Sequence, residues 1–166
     1  MLDFIYYLIK VIVLCITGPI ITFIHELGHA IPGLLLTDGD VTIQLGEKKG
    51  LNESKTIKIR RLKIKFNFHN CFRGITFWSD CDISEKDYFI IILWGPLASL
   101  IVFILLFLIN LLSPIELRKF ISVIILYDLY LLVRSLIPRI DPYGLGEGNL
   151  TDGYKIREYL ISKNKV

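Results

Sequence analysis

Apolar positions along this chain gather into three long stretches, separated by a polar middle segment in which apolar and basic residues alternate. The first stretch runs from Phe4 to Leu36, interrupted by Lys10 and by the charges of His25-Glu26-Leu27-Gly28-His29. The second, from Tyr88 to Leu112, has 25 residues without a charge. The third, from Phe120 to Pro138, contains Asp128 and Arg134. About 20 apolar residues of helix cross a bilayer core. The second stretch meets that length outright, and the other two meet it if their polar side chains face the protein interior. The pattern predicts a membrane α-helical protein with about three transmembrane helices over 4–36, 88–112 and 120–138. A helix over all of the first stretch would be about 50 Å long against a hydrocarbon core of about 30 Å, so it must tilt, kink or stop early. Pro19 is a candidate kink and Pro32-Gly33 a candidate stop.

The middle segment has a different period. Leu62, Ile64, Phe66 and Phe68 alternate with Lys63, Lys65, Asn67 and His69, the signature of a strand with one apolar and one basic face. Thr56 to Ile59 is a shorter run of the same kind, and Arg60-Arg61 shifts its phase, so a bulge or turn belongs there. Val41 to Leu45 and Ile75 to Trp78 also read as strands, and Gly46 to Ser54 as a loop. Residues 41–80 are therefore expected to form a small membrane-associated antiparallel β-sheet between the first and second helices. Beyond Pro138, residues 139–166 read as a loop around Asp141-Pro142-Tyr143-Gly144-Leu145-Gly146, followed by a C-terminal helix. At 166 residues the whole is expected to be a single domain.

Composition supports a membrane protein. Apolar residues make up 53% of the chain and the mean hydropathy is +0.56, too apolar for an ordinary soluble domain. The net charge of +3 matters less than where the charge lies. Ten of the 19 Lys and Arg fall between Thr37 and Asp87, and five more follow Pro138, whereas the link from Ser113 to Lys119 holds two. The positive-inside rule then places the middle segment and the C-terminus in the cytoplasm and the N-terminus outside. An integral protein of a bacterial cell membrane, with its chemistry toward the cytoplasmic side, is the expected setting. Asp3, the lack of a basic n-region and the lack of an A-x-A-like site mark the first helix as a retained anchor. Basic charge of this kind is read as contact with anionic lipid headgroups, not nucleic acid. Cys15, Cys71 and Cys81 show no CxxC spacing, and His69, Cys71 and Cys81 lack a fourth ligand at suitable spacing for a second metal site.

The chemistry lies at the far end of the first stretch. Val11 to Ile24 is free of charge, and His25-Glu26-Leu27-Gly28-His29 follows it directly. Histidines four apart share one face of a helix, so both imidazoles can reach one metal ion. Glu26 lies within reach of a water on that metal. This is the H-E-x-x-H arrangement of zinc hydrolases, with the glutamate as general base. Catalytic zinc takes three protein ligands and keeps one position open. By residue type the third is open among His69, Asp128, Asp141, Glu147 and Asp152. Asp128, in the middle of an apolar helix, would serve the metal, a proton path or a polar partner such as Asn110 or Arg134.

Taken in order, HELGH in an apolar helix, Trp94-Gly95-Pro96-Leu97-Ala98-Ser99 in the next, and Leu136-Ile137-Pro138 followed by Asp152-Gly153 resemble the site-2 protease family of membrane-embedded zinc metallopeptidases. The resemblance covers about Ile20 to Ile156, and the chain resembles a small, minimal-core member. It implies zinc held by His25, His29 and Asp152, with Glu26 as catalytic base. It also implies an endopeptidase that cleaves membrane-anchored proteins or signal-peptide remnants. The family has an asparagine where Ser135 stands here, three residues before Pro138, and a shorter gap between that proline and its aspartate. Ser135 and Asn149 are the candidate substrate-binding residues. The sheet segment would either accept an extended peptide by strand addition near the site or act as a structural cap. Self-association into a homo-oligomer would bury more surface than three helices do alone. The rival reading is a catalytically silent membrane regulator or chaperone that keeps the protease fold. A metal carrier is a third, and neither has chemical use for Glu26.

Overall fold

The computed structural model describes residues 2–46, 55–79, 82–140 and 150–163. The elements run α1 (Leu2–Leu36), β1 (Val41–Leu45), β2 (Lys55–Ile59), β3 (Leu62–Phe66), β4 (Gly74–Trp78), α2 (Glu85–Leu112), α3 (Ile115–Leu136) and α4 (Asp152–Lys163). The three long helices pack on one another, and α4 packs against α2 and α3. Two helices, α1 over Phe4–Leu36 and α2, are long and apolar enough to cross a membrane by length and composition. Their outward faces carry exposed Tyr7, Val11 and Ile16 on α1 and Leu105, Leu108 and Leu112 on α2. Apolar surface this continuous marks a membrane or partner face. α3 has 22 residues but includes Glu116, Arg118, Lys119, Asp128 and Arg134, so composition alone does not mark it as a span.

α1 does not stop at Pro32-Gly33. It continues through both Pro19 and Pro32 to Leu36. A proline forfeits one backbone hydrogen bond, and the bonds of the neighbouring turns together with packing on α2 and the sheet keep the helix going. Its end is made by other groups. The Thr37 N–H and hydroxyl both donate to the Gly33 carbonyl, at 3.1 and 2.7 Å. The Arg61 guanidinium donates to the carbonyls of Leu34, Thr37 and Gly39, placing a cation on the negative end of the helix.

The sheet is mixed, not antiparallel. Its order is β2-β3-β1-β4, with β1 and β3 parallel and the other two pairs antiparallel. Arg60-Arg61 forms the tight turn between β2 and β3, with Arg60 at φ 53°. The β2–β3 hairpin can dock on β1 by either strand. β2 is exposed along its length, whereas the apolar side of β3 reaches the core, and seating β3 beside β1 makes that pair parallel. In register, Val41 faces Leu62, Ile43 faces Ile64 and Leu45 faces Phe66. This surface packs with Phe23, Leu27, Ala30 and Leu34 of α1, so the sheet is anchored on the helix turn that carries the HELGH residues.

Candidate active site

His25 and His29 sit one turn apart on α1, and Asp152 is the first residue of α4. The fold closes the 127-residue separation and brings all three together. Asp152 Oδ2 lies 3.2 Å from His25 Nε2 and 3.4 Å from His29 Nε2. One ligand atom from each residue falls within 4.8 Å of the others, and all three side chains are largely buried. Among the described residues this is the one His/Cys/Asp/Glu group with metal-binding spacing.

The second helix orients both rings. Ile91, Gly95 and Ser99 recur every four residues and so form one stripe of α2. The carbonyl of Ile91 lies 2.8 Å from His29 Nδ1, and Ser99 Oγ lies 3.0 Å from His25 Nδ1. Between them, Gly95 leaves the space that the His29 ring fills, and any Cβ there would collide with the imidazole. Gly28 allows the two helices to approach this closely, since a Cβ on it would stand 2.6 Å from the Trp94 carbonyl oxygen. Pro96 lacks the N–H that would bond the Ile92 carbonyl one turn back, which loosens α2 beside the site. The glycine of the Gly-Pro pair is thus explained by ring clearance.

Asp152 is delivered by two neighbours. Thr151 caps α4: its hydroxyl accepts from the Tyr154 N–H at 3.3 Å and donates to the Ile137 carbonyl at 2.8 Å. Gly153 lies against the Leu136 carbonyl at the end of α3, where a Cβ has no room. The start of α4 is therefore held against the end of α3, and the positive end of the helix dipole favours the Asp152 carboxylate. Burial alone would raise the Asp152 pKa. With no metal bound, the charge of a protonated His29 and hydrogen bonds from both histidines outweigh burial and hold it well below the usual carboxylate range.

Glu26 projects toward the sheet. The Thr76 hydroxyl on β4 lies 2.8 Å from Glu26 Oε2 and 3.0 Å from the Glu26 carbonyl. Gly74 opens the space for this carboxylate, because a Cβ there would stand 2.5 Å from Glu26 Cγ. The edge strand β4 therefore positions the candidate base. Thr76→Val keeps the shape of the side chain and removes the hydroxyl. In a zinc peptidase built on this site, the change is expected to lower peptide cleavage about 10-fold, the loss typical of one charge-assisted hydrogen bond, with zinc content unchanged. Elemental analysis beside a cleavage assay checks both halves.

The donor set fits a divalent metal. Ligands on one tetrahedral zinc with bonds of about 2.0–2.1 Å stand about 3.3 Å apart. The two histidine–Asp152 separations, 3.2 and 3.4 Å, match this, while all three ligand atoms together lie within 4.8 Å, so the two imidazoles would draw closer to share one ion. The carbonyl of Ile91 can only accept, so His29 Nδ1 carries a hydrogen and donates it. In neutral His29 the Nε2 lone pair then faces a carboxylate oxygen at 3.4 Å. Two acceptors face each other across this gap, and a cation between them resolves the conflict. A proton would do so as well, but only for one imidazole at a time, whereas a metal satisfies both rings and the carboxylate.

The remaining candidates lie elsewhere. Asp128 is buried behind Ser99 and outside the metal-spaced group. The Ser135 hydroxyl donates to the Leu132 carbonyl of its own helix, at 3.0 Å. His69 is exposed before β4, and its backbone N–H donates to Asn67 Oδ1. Asn149, Asp141, Glu147 and Cys81 lie outside the described residues. Thr76 and the Ile91 carbonyl carried no functional mark in the sequence. A threonine in a strand is ordinary, and a backbone carbonyl is invisible to residue type. No protein-family model matches the chain, and no curated protein matches it.

Proposed function

We propose that this protein is a zinc-dependent endopeptidase of the membrane, similar to the site-2 protease family, that cleaves membrane-anchored proteins or signal-peptide remnants. The observation that carries the reading is the convergence of His25, His29 and Asp152 from two distant helices beside a glutamate held by Thr76. His25 Nε2, His29 Nε2 and Asp152 would hold the zinc. A bound zinc supplies Lewis-acid activation of water and stabilises negative charge on the scissile carbonyl oxygen. Glu26 accepts the proton from the attacking water and returns it to the departing amine. The Ile91 carbonyl and Ser99 keep the imidazoles aimed at one point. Burial of the site among α1, α2 and α4 limits solvent around the reacting groups.

α3 serves as a third crossing in this reading, because Asp128, the acid at its middle, is turned wholly inward, while Glu116, Arg118 and Lys119 lie at its start. The basic charge between α1 and α2 and in the C-terminal segment supports a site that opens toward the cytoplasmic face. A helical substrate hides its carbonyls in its own hydrogen bonds. It must open locally before attack, so cleavage is expected near helix-weakening residues such as glycine or proline. The test is incubation of the detergent-solubilised protein with a single-span substrate. Cleavage is expected to vanish on chelation and to return with added zinc. Cleavage that survives exhaustive chelation would overturn the zinc mechanism, and its absence across a panel of single-span substrates by zinc-loaded protein would favour the silent-regulator reading.

A further inference from the structure

Asp128, in the middle of α3, is fully buried, and neither carboxylate oxygen makes a hydrogen bond of ordinary geometry. The Ser99 hydroxyl on α2, itself buried, and the His25 ring on α1 are the groups that act on its carboxyl. A carboxylate buried in this way is unfavourable to the fold, and an apolar side chain of similar size would pack there more comfortably. Intramembrane acids that persist under such conditions are candidates for function.

The chemistry of Ser99 supplies one. When His25 Nε2 is a metal ligand, the neutral ring carries its hydrogen on Nδ1. Ser99 Oγ, 3.0 Å away, must then accept that hydrogen. An accepting hydroxyl is fixed in that role when its own hydrogen has an acceptor to point at, and the buried Asp128 carboxyl, with both oxygens unpartnered, is the acceptor available to Ser99. We propose that Asp128 is a positioning residue, acting through the Ser99 hydroxyl to hold His25 in the tautomer and orientation that turn Nε2 to the metal. One chain of groups then links all three long helices: Asp128 on α3, Ser99 on α2 and His25 on α1. The proposal rests on the metal centre described above and asks nothing of Asp128 in the cleavage step itself.

The test is a cycle of variants titrated with Co²⁺ in detergent, followed by visible absorption, with helical melting as a check on the fold. Ser99→Ala and Asp128→Leu are each expected to weaken cobalt binding about 10–100-fold, the range for outer-sphere partners of metal ligands. Asp128→Asn, whose amide oxygen still accepts from Ser99, is expected to recover most of that loss. Combining Ser99→Ala with Asp128→Leu is expected to bind cobalt no more weakly than Ser99→Ala alone, because the two act in series. Asp128→Leu should melt no lower than wild type, which separates positioning from stability. Asp128→Ala serves the same cycle if the leucine variant does not fold. Additive losses in the double variant, or wild-type cobalt affinity in Asp128→Leu, overturn the relay and leave the metal centre standing. A wild type that takes up no cobalt overturns the metal centre and the relay with it.

Discussion

Glu26→Gln is expected to lower peptide-bond cleavage by about 10²–10⁴-fold, the usual contribution of a general base, while zinc stays bound at the wild-type level. The substitution preserves shape. Glutamine's amide oxygen still accepts from the Thr76 hydroxyl that now lies 2.8 Å from Glu26 Oε2, so the side chain keeps its place against Gly74. Only the capacity to take a proton is lost. Zinc retention follows because the metal-spaced group is His25, His29 and Asp152, without Glu26. Retained zinc with lost cleavage would separate this protein from a metal carrier, for which Glu26 has no purpose. Unchanged cleavage would move the base elsewhere. Loss of zinc together with cleavage would make Glu26 a ligand.

Asp152→Ala is expected to weaken zinc by more than the about 10–100-fold typical of groups that only touch a ligand, and to abolish cleavage with it. The carboxylate oxygen lies 3.2 and 3.4 Å from the two imidazole nitrogens, so its removal takes away one of three donors and leaves two neutral rings. The fold should survive. Asp152 occupies the first turn of a 12-residue helix, and the cap on that helix comes from Thr151. Zinc affinity measured by chelator competition is the readout. Wild-type affinity in this variant would move the third ligand to another residue and break the parallel with the site-2 proteases.

Parts of this arrangement were legible in the sequence for definite physical reasons. HELGH announces itself because two ligands and a base lie within five residues, where helical geometry alone sets their relation. The long helices follow from long apolar runs, although α2 starts at Glu85 and not Tyr88 and α3 covers Ile115–Leu136 and not 120–138, because polar residues at a helix start extend it beyond its apolar run. The β2–β3 hairpin follows from alternation broken at Arg60-Arg61. Strand order was not legible. Alternation shows which face is apolar but not which strand of a hairpin will be inserted, and the parallel β1–β3 pair arises from that choice. The end of α1 at Leu36 follows the apolar run, but the candidate stop at Pro32-Gly33 does not act as one, and the Arg61 cap that closes the helix lies 25 positions beyond Leu36, out of reach of local pattern. The third ligand was open on chemistry alone. Several acids qualified by type, and only the motif resemblance singled out Asp152, which the fold does bring to the histidines. Gly95 and Gly153 were visible as letters in those motifs. Their purpose, clearance for the His29 ring and for the Leu136 carbonyl, appears only once the helices are packed.

The central claim is a metal held between α1 and α4, and metal content tests it most directly. Wild-type protein and His25→Ala, purified in detergent without added metal and then analysed for zinc, are expected to contain about one zinc per chain and almost none, respectively. A wild type that carries no metal and takes up none when zinc is supplied would contradict the account at its root.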